Sequence, residues 1–299
     1  MPAMMSDQHD PIRPILAVAA GIAMLSLMDA FIKNAALAHG AYMAALLRVG
    51  IAFSLAGPVW LALRPRWPDG KVLKVHLKRG VVGAAMALTF FIALTKLPLA
   101  ETIAISFIAP IVSLYLAAIL LGEKVRPRAI WGAVLGLLGV VVIVGGKFGR
   151  GNLDSDTAIG LAAISVSALL YAWNLVIQRE QALLAKPLEV TTFYMGIAAV
   201  CYLFAAPWFF EMPPLAELGN VGLAALLTLA GAMTMAWAYA RAEAQVLVPL
   251  EYSSFLWAML FGWIVLAEAV TLTAIGGAAL IVAGCWIATT RKRTEQSAI

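Results

Sequence analysis

Histidine and cysteine are almost missing from this chain: three and two, respectively, among 299 residues. The hydropathy pattern puts His9, His39 and His76 in the N-terminal tail or in connecting loops. A membrane-embedded metalloprotease, a haem protein or a histidine-dependent serine hydrolase needs an imidazole within its apolar core, so those classes are excluded. No HExxH, GxSxG, phosphate-binding glycine loop or aspartate-rich cluster occurs, so no catalytic residue, ATP coupling, metal or cofactor is expected. Cys201 and Cys285 both fall in apolar runs, with no CxxC and no disulfide framework, and read as small packing residues.

Charge is also scarce. Only 12% of residues are charged against 63% hydrophobic, which excludes an ordinary soluble domain. Apolar stretches of about 18 to 23 residues, each long enough to cross a bilayer core, recur along the chain. Ten are expected, near 15–35, 43–63, 79–97, 100–121, 128–146, 158–178, 189–210, 218–240, 245–267 and 272–290. The first carries Asp29 and ends in no small-residue cleavage site, so it reads as a span rather than a cleaved signal. Basic residues fall unevenly between the loops. With the N-terminus inside, sixteen lie on the cytoplasmic side, six of them in 64–79, against Lys33, Lys96, Lys147 and Arg150 outside. That bias sets both termini in the cytoplasm. The same charges are needed as topology anchors, so no nucleic-acid partner is expected.

The second half repeats the first at an offset of 145 residues. Leu121-Gly-Glu123 recurs as Leu266-Ala-Glu268, and Ile130-Trp-Gly-Ala133 as Ile275-Gly-Gly-Ala278; from Leu121 to Gly139, nine of nineteen positions are identical. A repeat with an odd number of spans inserts its two copies in opposite orientations, the architecture of alternating-access carriers. The expected plan is an all-α polytopic membrane protein of ten transmembrane helices in two inverted five-helix repeats. Residues 1–14 form a cytoplasmic tail, 15–146 the first repeat, 147–157 an extracytoplasmic linker, 158–290 the second repeat and 291–299 a basic tail. Glycines in the fifth span (Gly132, Gly136, Gly139) and the tenth (Gly276, Gly277, Gly284) permit close helix approach, either within the bundle or across a homodimer face.

Charged groups at membrane depth cost about 2.5–3.5 kcal/mol each on insertion scales, so each requires a reason. Asp29, Arg48 and Glu251 are the clear cases. Asp29 and Arg48 are expected at one depth, where they could form an interior ion pair or open to take the ammonium and carboxylate of an amino acid. Ser26, Asp29 and Lys33 share a helical face, and the offset converts them to Tyr171, Asn174 and Gln178. Thr102, Ser106, Ala109 and Ser113 likewise become Leu247, Glu251, Ser254 and Ala258. Paired polar stripes in opposed halves, on spans 1, 4, 6 and 9, read as the lining of one cavity. Substrate contact is assigned to Ser26, Asp29, Ser106, Asn174, Glu251 and Ser254, with Phe90, Tyr171, Trp237 and Tyr252 as the apolar wall. Pro110 interrupts the fourth span, where a freed carbonyl is tolerated only in polar surroundings. Asp29, Arg48, Pro110 and Glu251 are the coupling candidates. A carrier of phosphorylated sugars needs several cavity cations, and only Arg48 qualifies at this level.

The run Phe90-Phe-Ile-Ala-Leu-Thr-Lys-Leu-Pro-Leu-Ala-Glu101, then Ala109-Pro110 and Leu121-Gly-Glu123, resembles the drug/metabolite transporter superfamily of EamA-domain type. The second copy reads Trp237-Ala-Tyr-Ala-Arg-Ala-Glu-Ala244, Pro249-Leu-Glu-Tyr252 and Leu266-Ala-Glu268. It departs from the pattern where Phe255 replaces proline and Ala267 replaces glycine. The resemblance implies a non-enzymatic exporter of small metabolites, closest to amino-acid exporters including the aromatic branch, with a small-molecule solute and the bilayer as partners. A multidrug carrier is the alternative within that superfamily, and a non-transporting membrane enzyme or scaffold the alternative outside it. Glu123 and Glu268 match the family's terminal glutamates and are assigned a gating or loop-tethering role.

Overall fold

The computed structural model describes residues 12–109, 154–210, 215–241 and 253–289, with residue 250 and scattered positions between 112 and 145. Pro110, Glu123, Glu251, Tyr252, most of the fifth span and most of the linker lie outside the described residues. The described regular structure is helical: α1 (Ile12–His39), α2 (Ala41–Ala62), α3 (Gly70–Lys96), α4 (Leu99–Ser106), α5 (Ser155–Leu184), α6 (Pro187–Phe209), α7 (Leu215–Tyr239), α8 (Ser254–Leu266) and α9 (Leu272–Thr289). Six of these are long and apolar enough to cross a membrane, and α8 and α9 are shorter apolar helices.

Local chemistry sets the boundaries. The Asp69 carboxylate accepts the backbone N–H groups of Lys71 and Val72 at 3.0 and 2.9 Å, capping α3. That cap corrects the reading of 64–79 as a loop: Lys71 through Arg79 stand on a helix, and His76 with them. Asp154 caps α5 by accepting the Thr157 N–H at 2.8 Å, a bond that holds its carboxyl below the usual carboxylate range. Gly40 joins α1 to α2 at φ +86°, a left-handed conformation that a side chain would strain. Ala267, where the first copy has Gly122, adopts φ +52° and ends α8. The turn sends the Glu268 N–H back to the Gly262 carbonyl at 3.0 Å and swings the Glu268 side chain inward.

The two halves interlock. The most extensive contacts run between α1 and α7 and between α3 and α5, and the 145-residue offset converts each interface into the other. α2 meets α6, its own counterpart, so the exchange axis passes between them. The α1–α7 crossing is tight: a Cβ on Gly231 would stand 2.9 Å from Leu25 and one on Gly21 3.0 Å from Met235. Gly277 is tighter, because a Cβ there would lie 2.5 Å from the Gly139 carbonyl and 2.4 Å from Ile143. Gly277 therefore packs against Gly139 within one chain. A backbone oxygen cannot swing aside as a side chain can. Gly277→Val should thus cost about 1–3 kcal/mol as an overpacked contact, read as a lower midpoint of thermal unfolding in detergent. An unchanged midpoint would mean the interface is loose.

Candidate functional site: a polar cavity between the halves

A cavity of ≈ 280 Å³ lies between the two halves. Of the residues singled out from sequence, it is lined by Ser26 and Asp29 of α1, Phe90 of α3 and Ser106 at the end of α4. From the other half come Tyr171 and Asn174 of α5 and Ser254, the first residue of α8. Arg48 of α2 also lines it. Trp237 does not; it packs at the end of α7 beneath the Arg241 guanidinium, 4.3 Å from its ring. Trp173 and Trp257 are likewise outside the lining, the former under the Lys78 ammonium and the latter stacked on Phe261. Trp60, near the end of α2, is buried against Trp67 and Phe193.

Asp29 and Arg48 occupy one level of the cavity. Across the α1–α7 crossing, Gly21 faces Met235 and Leu25 faces Gly231, so one further turn brings Asp29 level with Thr228. Arg48 donates to the Thr228 hydroxyl at 3.3 Å and its guanidinium lies 5.1 Å over the Phe91 ring. Arg48 is 4% exposed, and its Nε has no acceptor among the described residues. Among the described residues no ion pair joins Asp29 to Arg48, and none holds Asp29 elsewhere. The level thus holds a carboxyl group and a guanidinium with no direct ion pair between them among the described residues. Asn174, the repeat counterpart of Asp29, is 3% exposed and its Oδ1 also lacks a donor among the described residues. An enclosed oxygen without a donor forfeits about 1–3 kcal/mol, which a solute ammonium would return.

Two further polar clusters lie toward the two ends of the bundle, one of which reaches the cavity. Beyond Asp29 on α1, Lys33 is 5% exposed; its Nζ lies 2.5 Å from the Glu268 carboxylate and donates to the Leu97 carbonyl at 2.5 Å. The second Glu268 oxygen accepts the Leu99 N–H at 2.8 Å. One carboxylate thus ties α1 to the α3–α4 and α8–α9 junctions and touches no cavity residue.

At the opposite end runs a chain of side chains that sequence reading missed. Arg79 donates to Gln181 at 2.5 Å and to Gln178 at 3.1 Å, with its guanidinium 4.9 Å over Tyr194. Gln181 in turn meets His76 Nδ1 at 2.5 Å, and His76 Nε2 lies 3.3 Å from Glu189. Since Arg79 requires the Gln181 oxygen as acceptor, the Gln181 amide nitrogen donates to Nδ1, and the His76 proton sits on Nε2 toward Glu189. His76 is completely buried and stacked on Phe193, a correction to its assignment as a loop residue. The signal was present in the spacing: His76, Gly80, Gly83, Ala87 and Phe91 are all buried and share one face of α3. Arg79 lines the cavity, so Arg48 is not its only cation.

Residues 12–145 and 158–290 each match the EamA-like transporter family. The chain is 26% identical over 278 residues to the pseudopaline exporter CntI of Pseudomonas aeruginosa, covering 91% of this chain and 93% of that protein. It is 30% identical over 164 residues to the aromatic amino acid exporter YddG of Ancylobacter novellus, covering 53% and 54%. To the riboflavin transporter of Brucella anthropi it is 26% identical over 216 residues, covering 70% and 73%. A solved crystal structure superposes with a TM-score of 0.65 at 21% identity, covering 92% of this chain and 96% of that one, which shows a shared fold. Two copies of one transporter domain that interlock around a polar cavity account for nearly the whole length, and the chain belongs to the EamA-like transporter family: it is a multi-pass membrane transporter, not an enzyme.

Proposed function

We propose that this chain exports amino acids and similar small amphiphilic metabolites across the bacterial inner membrane by alternating access. In this reading ten spans form two inverted repeats of five, 15–146 and 158–290, joined outside by 147–157, with both termini cytoplasmic. The observation that carries it is the level of Asp29 and Arg48, where a carboxylate and a guanidinium line one cavity with no direct ion pair between them among the described residues. An α-amino acid presents the complementary pair, ammonium and carboxylate, on adjacent atoms. Asn174 adds a second acceptor for the ammonium, and Phe90, Phe91 and Tyr171 supply an apolar wall that suits an aromatic or aliphatic side chain. The name of the Ancylobacter novellus relative, an aromatic amino acid exporter, agrees with that chemistry. Ser26, Ser106 and Ser254 supply hydroxyls at the same cavity; Glu251, Tyr252 and Pro110 are assigned there from the repeat alone, and Glu123 to a tether equivalent to that of Glu268.

The rival reading is a carrier of other metabolites, and Arg79 is the observation in its favour, since a second cavity cation suits a more anionic solute. Counterflow into proteoliposomes separates the two. Vesicles preloaded with phenylalanine should accumulate labelled phenylalanine, and phenylalaninamide should compete poorly because Arg48 then lacks its carboxylate. Absence of counterflow for every amino acid tested would overturn the amino-acid reading.

A further inference from the structure

Arg79 is a cation at the edge of a transport cavity, and its surroundings are unusual for a structural arginine. Its partners among the described residues are two neutral amides and a tyrosine ring, with no carboxylate. Its Nε is enclosed without an acceptor. An arginine that merely braces two helices is expected to meet a carboxylate or backbone carbonyls. One whose charge is positioned but left uncompensated is suited to an anion that comes and goes.

Position adds a second argument. Arg79 precedes Phe91, the ring beneath Arg48, by twelve residues on the same helix, so the two levels are about 18 Å apart by helical rise. The separation is too large for one amino-acid carboxylate to meet both guanidinium groups. The repeat supplies a third. The offset that pairs Asp29 with Asn174 pairs Arg79 with Ala224, a fully buried alanine at the opposite end of the bundle. The cation at the other end, Lys33, is ion-paired to Glu268, whereas Arg79 meets no carboxylate among the described residues.

We propose that Arg79 forms a carboxylate-capture subsite at the cytoplasmic mouth, which binds the solute's anionic group before it passes to the Asp29–Arg48 level. The inference rests on the transport reading above and on its membrane orientation. It makes the two faces of the carrier unequal. Capture operates on the Arg79 face, where the cation meets no carboxylate, and not at the Lys33 end, where Glu268 already pairs the ammonium, so affinity for a carboxylate-bearing solute is higher from the cytoplasm. Export then needs less cytoplasmic solute than import would need outside.

The test is sided. In proteoliposomes sorted for one orientation, the half-saturating phenylalanine concentration is measured from each face, with phenylalaninamide as the solute lacking a carboxylate. Arg79→Gln should raise the cytoplasmic-face value for phenylalanine about tenfold, and leave the outer-face value and both phenylalaninamide values unchanged. Arg79→Lys, which keeps the charge, should restore most of the loss and also covers the case in which the glutamine variant fails to fold. Equal effects on both faces, equal effects on both solutes, or a lysine variant as impaired as the glutamine one would each overturn the subsite. Wild-type vesicles that move neither solute would overturn the amino-acid reading, and the subsite with it.

Discussion

Asp29→Asn should lower phenylalanine counterflow by roughly 10- to 100-fold while the protein remains folded. A hydrogen bond to a charged group is worth about 1.5–3 kcal/mol, and each 1.4 kcal/mol is a factor of ten. The carboxylate makes no direct ion pair among the described residues and faces the Arg48 guanidinium only at longer range, so the unfolding midpoint should fall little. That separates it from Arg48→Met, which removes the donor to the Thr228 hydroxyl and uncovers the Phe91 ring. The two variants should also differ in what they discriminate. Asp29→Asn should cease to prefer phenylalanine over 3-phenylpropionate, which lacks the amine. Arg48→Met should cease to prefer phenylalanine over its amide, which lacks the carboxylate. Because a carboxamide carries no titratable proton, efflux driven by a pH gradient should fall in Asp29→Asn as well. Wild-type rates with wild-type pH dependence in that variant would remove Asp29 from both binding and coupling.

The cavity was legible in the sequence to the extent that the repeat was. Moving Ser26 and Asp29 by 145 residues reached Tyr171 and Asn174, and all four line one cavity. Hydropathy and offset register depth and face, and those are the quantities that decide which residues converge. What they do not register is where a helix begins when its first turns are polar. Residues 70–79 look like a loop because Lys71, Lys74 and Lys78 dominate the composition, yet the Asp69 cap starts α3 there and carries His76 and Arg79 into the interior. Nor does equal depth imply contact. Asp29 and Arg48 share a level but are not joined, because the Phe91 ring and the Thr228 hydroxyl hold the guanidinium. Trp237 shows the opposite error: being aromatic and on the right helix did not bring it to the cavity wall, since its ring packs under Arg241 at the helix end.

Glu268 was assigned to tethering on resemblance alone, and its contacts supply a physical reason for a large effect. Lys33 and Glu268 form an ion pair between the first and second repeats, with the Lys33 ammonium almost wholly buried and the Glu268 side chain 21% exposed. Breaking a fully buried pair costs about 3–5 kcal/mol; partial exposure of Glu268 lowers that to about 2–3 kcal/mol. The same carboxylate holds the Leu99 N–H at the start of α4, so Glu268→Gln weakens both attachments together. Alternating access requires α1 and the two junctions to separate when the outer face opens, and the pair exists only while they are together. Its energy is therefore a bias between the two states as well as a contribution to stability. A loss of about 2–3 kcal/mol shifts that equilibrium by roughly 30- to 150-fold toward the outward-open form. The shift can be read with Ser106→Cys in a chain whose Cys201 and Cys285 are replaced by serine, labelled from outside by a membrane-impermeant maleimide. Adding Glu268→Gln should raise the labelling rate at least tenfold. Lys33→Met should do the same, and the double variant should add little to either single one, because both remove one pair. Unchanged labelling in both single variants would reduce the pair to a structural brace with no part in gating.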